Sequence, residues 1–240
     1  MPDAETLLQT EPAQGDTAVL VRKRPKPGER RVQILQALAS MLEQPGVERI
    51  TTAALAARLD VSEAALYRHF ASKAQMFEGL IEFIEQTVFS LVNQIAEREG
   101  SVVPDVAFDT AAASSFDPGA SASASAGAGV RHAGKVAAML IQFAEKNPGM
   151  TRVMVGDALV FENERLQQRM NQFFDKIESI FRQNLRGSAQ DNGSATPSVD
   201  AQVSASVLTA FVVGRLQRFA RSGFKRLPSE HLEASLAKML

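Results

Sequence analysis

The stretch from Thr51 to Phe77, TTAALAARLDVSEAALYRHFASKAQMF, constrains the fold most strongly. Its residues predict a helix, a tight turn, a second short helix and the start of a third. Thr51 or Thr52 can cap the first helix, because a hydroxyl accepts a hydrogen bond from an unpaired backbone N–H at a helix start. Leu55 and Leu59 are four residues apart and therefore share one helix face, which we expect to be buried.

The turn and the second helix follow from the same local chemistry. Asp60 stands at the turn, where glycine is usual, and aspartate is among the few other residues that tolerate a left-handed backbone. Ser62 is a good N-cap for a helix over 63–69. That helix would direct Leu66 inward. The residues that it would direct outward are Glu63, Ala64, Tyr67 and Arg68.

A third helix opens at Ser72, because the sequence Ser72–Gln75 fits the S-x-x-Q capping box. Two helices joined by a tight turn form a helix-turn-helix, which places its second helix in the major groove of DNA. The spacing alone is also compatible with an ordinary three-helix globule.

The distribution of charge favours DNA binding over the ordinary globule. Residues 22–73 hold ten Lys or Arg against five Asp or Glu, whereas the rest of the chain holds sixteen against twenty-two. A nearly neutral chain therefore has a basic head and an acidic body, which suits attraction of phosphates at one end. The basic run at 22–26 is compatible with an arm along DNA and with a solvated tail.

Composition excludes several other classes of protein. The chain has no Cys, which argues against disulfides and thiolate chemistry and suits a reducing cytosol. We see no secretory signal and expect no membrane span. His69, His132 and His231 lack the spacing of metal ligands, and no nucleophile has a visible base partner. We therefore predict no catalytic residue, no metal and no cofactor.

Hydrophobic periodicity predicts a wholly helical body. Helices are expected near 29–44, 73–98, 132–147, 163–185 and 199–223, with a short helix from Met150 and a last helix at the C-terminus. Residues 1–28 are predicted to be a disordered, basic-ended tail, residues 29–73 the DNA-binding domain, and residues 74–240 the regulatory and dimerisation domain.

Two segments of the body are predicted to lack helical structure. Residues 111–129 contain sixteen Ala, Ser or Gly in nineteen positions, and such a stretch buries too little apolar surface to order itself. We therefore interpret 100–130 as a flexible insertion, and 187–198 as a second loop.

The helix over 199–223 is apolar on more than one face, so nearly all of its surface should be buried. Packing within the chain and pairing with a second copy both satisfy this requirement. We favour a homodimer, because a head this small reads only half of a DNA site.

The motif LYRHFASKAQMF resembles the signature of TetR-type regulators, whose Tyr, His and following Lys sit at these spacings. The segments EKNPGMTRVMVGDALVFENERLQQRMNQFF and RITTAALAARLDVSEAALYRHF further resemble the nucleoid occlusion branch of that family. The likeness covers most of residues 30–186 apart from the insertion. It implies an all-α, TetR-like fold, a homodimer and a palindromic site on double-stranded DNA.

The resemblance also implies roles for residues of the head. Thr51 would lie near the phosphate backbone, Tyr67 and Lys73 would contact phosphates, and His69 would lie beside them or close the small domain by packing. Arg68 would either read a guanine or touch a phosphate. The residues expected to contact DNA are Thr51, Thr52, Ser62, Ala64, Ala65, Tyr67, Arg68, His69 and Lys73.

A protein partner is implied as well, namely the C-terminal tail of the division protein FtsZ, which would bind between the helices at 73–98 and 132–147. Phe83 lies off the apolar stripe and is the main candidate contact, although such a residue also suits packing against a neighbouring domain. Lys146 and Asn147 are further candidates, and Lys146 would suit an acidic peptide. The implied location is cytoplasmic and nucleoid-associated. A ligand-responsive TetR-type repressor is the alternative function.

Overall fold

A computed structural model describes residues 28–44, 49–100 and 118–240, and in these ranges the secondary structure is helical without strands. The helices are α1 (Glu29–Leu42), α2 (Thr52–Arg58), α3 (Glu63–Tyr67), α4 (Lys73–Gly100), α5 (Pro118–Lys146), α6 (Pro148–Met154), α7 (Glu164–Asp191), α8 (Pro197–Arg221) and α9 (Leu232–Met239), with a 3₁₀ turn at Asp157–Leu159. The all-α prediction is confirmed. Residues 1–27 of the tail predicted over 1–28 lie outside the described residues.

Helices α1, α2 and α3 pack together as a small head around buried apolar side chains. Leu55 and Leu66 are each 1 % exposed, as their positions in the sequence predict, and they pack with Ile34, Leu38 and Phe70. The head continues directly into α4, whose Phe77 and Leu80 belong to the same core. The long helix therefore joins the head rigidly to the rest of the molecule.

The body is a layered bundle in which α7 packs against both α8 and α5, and α5 packs against α4. The predicted helix near 163–185 corresponds to α7, and its apolar residues Leu166, Phe173, Ile177 and Phe181 are buried. Because α7 is covered on two sides by apolar helices, it holds the centre of the bundle.

The prediction of a flexible insertion over 100–130 is wrong for residues 118–130, because α5 begins at Pro118. Residues 101–117 lie outside the described residues. Alanine is the best helix former, and the backbone of α5 also lies very close to α7. A Cβ atom on Gly129 would stand 2.1 Å from the carbonyl oxygen of Asn184. Small residues, interpreted from composition as a sign of disorder, permit a close helix contact here.

The end of α7 also differs from expectation. The helix extends to Asp191, so the loop predicted for 187–198 is shorter than expected. The chain turns at Gly193, whose φ of 72° is left-handed, and α8 begins at Pro197. A proline at the first helical position suits this start, because its missing N–H would have no partner there anyway.

Helix α6 joins the head to the body through a close backbone contact. A Cβ atom on Gly149 would lie 2.0 Å from the carbonyl oxygen of Ala39 in α1, so only glycine fits at this position. Arg152 also donates a hydrogen bond of 3.4 Å to the carbonyl of Leu42. The sequence NPGM therefore fixes the orientation of the head relative to the body.

Candidate nucleic-acid interface and partner groove

Local hydrogen bonds shape the helix-turn-helix as the sequence predicts. Thr51 Oγ1 accepts from the backbone N–H of Ala54 at 3.1 Å, and Ser62 Oγ accepts from that of Ala65 at 3.3 Å. Asp60 adopts a φ of 54°, which is the left-handed turn conformation expected of it. These contacts lie within a few residues of one another in sequence, which is why the sequence alone reveals them.

The start of α4 is capped reciprocally. Ser72 Oγ accepts from the N–H of Gln75 at 3.1 Å, and Gln75 Oε1 accepts from the N–H of Ala71 at 2.6 Å. The second bond reaches one residue further back than in the usual capping box, where it would bind the N-cap N–H. Both bonds hold α4 at a fixed angle to the short helix α3.

Helix α3 presents an exposed face beside its buried Leu66. Ser62, Ala64 and Arg68 are exposed, Tyr67 is 45 % exposed, and Ala65 is half-buried. Thr51 is also exposed, at the start of α2. Most of these predicted contacts are therefore accessible to solvent, as contact with a major groove requires.

Two of the predicted DNA contacts already have partners within the chain. The hydroxyl of Thr52 donates to Glu63 at 2.5 Å and so joins α2 to α3. The ammonium of Lys73 forms a salt bridge with Glu162, with side chains 22 % and 10 % exposed. The predicted phosphate contact of Lys73 therefore requires that its ammonium leave this carboxylate.

His69 is exposed, and its backbone carbonyl accepts a hydrogen bond of 3.2 Å from Arg31. The guanidinium of Arg31 also lies 4.3 Å from the centre of the Phe70 ring. No local pattern in the sequence reveals this role of Arg31, because the hydrogen bond joins residues that are 38 positions apart. Arg31 holds the end of the α3 segment onto α1 and adds an exposed positive charge beside it.

Phe83, which is 46 % exposed, lines an apolar groove of about 360 Å³. Its other lining residues are Val32, Leu35, Gln36, Leu80, Asn147 and Met150. The groove thus lies between α1, α4 and the start of α6, whereas the resemblance implies a groove between α4 and α5. Phe83 and Asn147 come together in it, while Lys146 is exposed but does not line it.

The opposite side of α4 is held to α7 by an ion pair. Arg169 donates to both carboxylate oxygens of Glu85, at 3.3 and 2.6 Å. This hydrogen bond to Glu85 raises the pKa of the Arg169 guanidinium, against the lowering effect of burial, so the pair stays charged. The bidentate geometry fixes α4 against α7, at a contact that does not include Phe83.

Helix α8 exposes an apolar stripe. Val199, Val203 and Val207 are 59, 58 and 53 % exposed, and they follow one another at intervals of four residues. A Cβ atom on Gly214 would meet no atom within 4 Å. The prediction that this helix is buried on nearly all sides is therefore not met within one chain, and a contiguous stripe of this kind marks an interaction surface.

By length and apolar composition, α8 is also the one helix of the described residues that could cross a membrane, with a mean hydropathy of 1.3. The sequence predicts no span. A core helix of a soluble protein passes the same test, and one face of α8 is packed against α7. The described residues also contain no group of three or more His, Cys, Asp or Glu that could hold a metal ion.

Comparisons with known families match both parts of the chain. Residues 34–80 match the family described as bacterial regulatory proteins, tetR family. Residues 130–239 match the SlmA-like family described as tetracyclin repressor-like, C-terminal domain. The two matches correspond to the helix-turn-helix head and to the bundle of α5–α9.

Individual relatives extend this similarity over most of the chain. The nucleoid occlusion factor SlmA of Aliivibrio fischeri (strain MJ11) is 46 % identical over 208 residues, which cover 86 % of this chain and 92 % of that protein. The protein of that name from Vibrio cholerae is 45 % identical over 205 residues, covering 85 and 90 %. These matches include the body as well as the head.

Among solved structures, the fatty acid degradation regulator FadR from Bacillus halodurans has a TM-score of 0.62 at 12 % identity, covering 90 % of this chain and 96 % of that one. FadR from Bacillus subtilis, solved in complex with stearoyl-CoA, has a TM-score of 0.60 at 12 % identity, covering 87 and 96 %. At such low identity the likeness shows a shared fold.

Proposed function

The chain belongs to the TetR family of bacterial regulators and, within it, to the group of the SlmA nucleoid occlusion factors, and on that premise we propose that it is a DNA-bound inhibitor of cell division. In this proposal a homodimer binds palindromic sites on the chromosome and also binds FtsZ, and so blocks division-ring assembly over the nucleoid. We expect it in the cytoplasm, associated with the nucleoid. The similarity of 46 % across head and body carries this proposal.

DNA recognition is proposed for the exposed face of the head. Tyr67 and Thr51 supply hydroxyl groups and Arg68 supplies a cation on the surface around α3. Phosphate contacts position a protein on DNA, while contacts to base edges specify the sequence. On this basis Thr51, Tyr67 and Lys73 set the register, and Ala64 and Arg68 are placed to approach base edges.

Dimerisation is proposed through α7 and α8. The exposed valines of α8 would be removed from water by the same stripe of a second copy, which is the self-complementary contact that a two-fold axis produces. Each buried valine side chain contributes on the order of 1.5 kcal/mol or more. Two heads held at a fixed distance can then read the two halves of a palindrome.

The groove around Phe83 is proposed as the FtsZ site. Its lining is mainly apolar, with Asn147 and Gln36 as the polar groups that can orient a peptide backbone. The exposed ammonium of Lys146 lies one residue from Asn147 and suits an acidic peptide. The groove shares α4 with the head, so a bound peptide would lie close to the DNA-binding surface.

The test is a pulldown of the full-length protein by an immobilised FtsZ tail peptide, with and without DNA selected from a random pool. We expect binding that Phe83→Ala weakens at least ~10-fold, since an anchor in a groove contributes about 2 kcal/mol. The control is Phe161→Ala, another exposed phenylalanine that lies outside this groove.

Absence of tail binding by the wild-type protein under both conditions would overturn the FtsZ assignment and favour the ligand-responsive repressor. Equal reductions in the two variants would contradict the placement of the peptide in this groove. Genome-wide mapping of bound sites adds a second readout. Many sites that are depleted near the chromosome terminus would support control of division, whereas a single site beside the protein's own gene would support local repression.

A further inference from the structure

A cluster of cations surrounds the end of α8 and the turn that follows it. Residues 215–229, RLQRFARSGFKRLPS, contain five Lys or Arg and no Asp or Glu, although the body as a whole is acidic. Arg218, Arg221, Lys225 and Arg226 are exposed. None of these four forms a salt bridge with another described residue. We call these four side chains the basic turn.

The basic turn has a fixed conformation. Gly223 and Phe224 adopt φ values of 61° and 64°, and the Phe224 ring packs against Phe219 with ring centres 5.1 Å apart. Ser222 Oγ accepts from the N–H groups of Lys225 and Arg226 at 3.1 and 2.9 Å. A left-handed phenylalanine is strained, so the surrounding contacts hold it in place. The four cationic side chains therefore extend from a backbone of fixed conformation.

The turn lies at the end of the body that carries the head. Gln202 of α8 bonds with Glu178 and Arg182 of α7, and the two helices run in opposite directions. Because both rise equally per residue, Arg218 lies level with Glu164 at the start of α7. Glu162, two residues earlier, is paired with Lys73 at the start of α4.

After the basic turn the chain runs back along α8, so the basic turn is the outermost part of α8 at the end of the body that carries the head. Arg215 donates to the carbonyl of Glu230 at 2.5 Å and to Ser235 Oγ at 3.0 Å, which brings the segment after the turn beside α8. Arg218, Lys225 and Arg226 line a shallow hollow of about 700 Å³ there. Glu230 is an acidic residue on its rim, beside His231 at 3.8 Å.

Arg218 and Arg221 also continue the exposed stripe of α8. Gly214 follows Val207 by seven residues, Arg218 follows Gly214 by four, and Arg221 follows Arg218 by three. Residues at these spacings lie on one face of an α-helix. In a dimer formed through that face with both heads on one DNA molecule, the arginines of both copies lie at the same end of the body. Like charges in such an arrangement repel unless an anion lies between them.

We propose that the basic turns of the two protomers bind the phosphates of the DNA segment between the two half-sites. The inference rests on the proposed DNA-binding dimer and extends its interface beyond the helix-turn-helix. The position beside the heads and the charge favour DNA as the occupant. Phosphates carry no sequence information, so the basic turn would add affinity and leave the choice of sequence to α3.

The experiment compares the salt dependence of DNA binding in wild-type protein and in Arg221→Gln/Arg226→Gln. The slope of log K against log salt becomes shallower by about 0.9 for each phosphate that the protein no longer neutralises. We expect a reduction of about 2 or more for the dimer and roughly ten-fold weaker binding near physiological salt. Discrimination between the selected site and a site with altered half-sites should remain unchanged.

The matched control is Arg186→Gln/Lys238→Gln, which removes two exposed cations at the opposite end of the body. It should leave the slope unchanged. DNA with uncharged methylphosphonates between the half-sites gives an independent readout, since it should weaken wild-type binding and have little further effect on the Arg221/Arg226 variant.

The outcomes separate this inference from the proposed function. If wild-type protein binds no selected DNA, the proposed function fails. If it binds and the Arg221/Arg226 variant keeps the wild-type slope, the inference is overturned while DNA binding stands. A third outcome is that the Arg221/Arg226 variant keeps the wild-type salt slope but no longer binds the FtsZ tail. That result would assign the basic turn to binding of an acidic protein surface and would also overturn the inference.

Discussion

The head and the body of this protein differ in how far apart in the sequence their structure-determining contacts are. In the helix-turn-helix of the head, the caps that begin the helices join near neighbours, such as Thr51 with Ala54 and Ser62 with Ala65. In the body, the decisive contacts join distant residues, such as Gly129 with Asn184 and Glu85 with Arg169. The head can therefore be recognised in many proteins, whereas the body distinguishes one regulator from another.

The joint between the two regions should be the most sensitive point. Gly149→Ala would place a Cβ atom 2.0 Å from a carbonyl oxygen of α1, so the helices must separate. We expect a decrease of about 3 kcal/mol in the free energy of unfolding, measured by urea denaturation. In the control Gly187→Ala a Cβ meets no atom within 4 Å, and we expect a gain of about 0.5–1 kcal/mol. Equal changes in both variants would contradict this account of the joint.

The proposed dimer face on α8 can be tested without changing a residue of the head. Val203→Asp/Val207→Asp would bury four carboxylates in a symmetric interface, and we expect dimer affinity to fall at least ~100-fold. Sedimentation should show monomers at concentrations where the wild type is dimeric. Val32→Asp, an exposed valine of α1, serves as control and should remain dimeric. A dimeric Val203/Val207 variant would place the interface elsewhere.

The two roles of Thr51 in the head can be separated by substitution. Thr51→Ala removes the cap and should cost about 1 kcal/mol of stability while weakening DNA binding without unfolding the protein. Thr51→Asp keeps a good cap but adds a negative charge, so stability should be retained while DNA affinity falls roughly ten-fold or more. Gel shifts and thermal denaturation measure the two effects. Wild-type DNA affinity in both variants would remove Thr51 from the interface.

The smallest expected effect concerns the link between head and body. Glu162→Gln removes the charge that holds Lys73, so the ammonium is released for a phosphate. We expect DNA affinity to rise about three-fold and the salt slope to steepen by up to about 0.9 per protomer. Glu164→Gln, an exposed neighbour, is the control. If Lys73 does not contact DNA, neither the affinity nor the slope should change.

The predictions made from the sequence succeeded where contacts are local and failed where contacts join residues far apart in the chain. The caps at Thr51 and Ser62, the left-handed Asp60 and the inward Leu66 were predictable, because each depends on residues within one or two helical turns. The start of α5 and the hydrogen-bond partners of Thr52 and Lys73 could not be predicted in this way. Sequence patterns reveal which face of a helix is apolar, but they do not show which distant helix lies against it.

The groove illustrates this limit. The sequence places Phe83 off the apolar stripe of α4, and the structure shows that it is exposed and lines one groove with Asn147. The contribution of α1 through Val32 and Leu35 was missed, because it depends on how Gly149 docks α6 against α1. The basic turn was missed for a similar reason, since its position beside the head depends on the antiparallel packing of α7 and α8.

By itself the sequence determined that this protein is all-helical and carries a helix-turn-helix with a basic surround, since helix propensity, capping and periodicity are local properties. It also determined family membership, through motifs in head and body. Only the tertiary structure decided that the Ala- and Ser-rich segment after 118 is helical, that α8 exposes its valines, and that four cations stand beside the head. These features depend on close backbone approach and on helix register, which are set by packing between residues far apart in the chain.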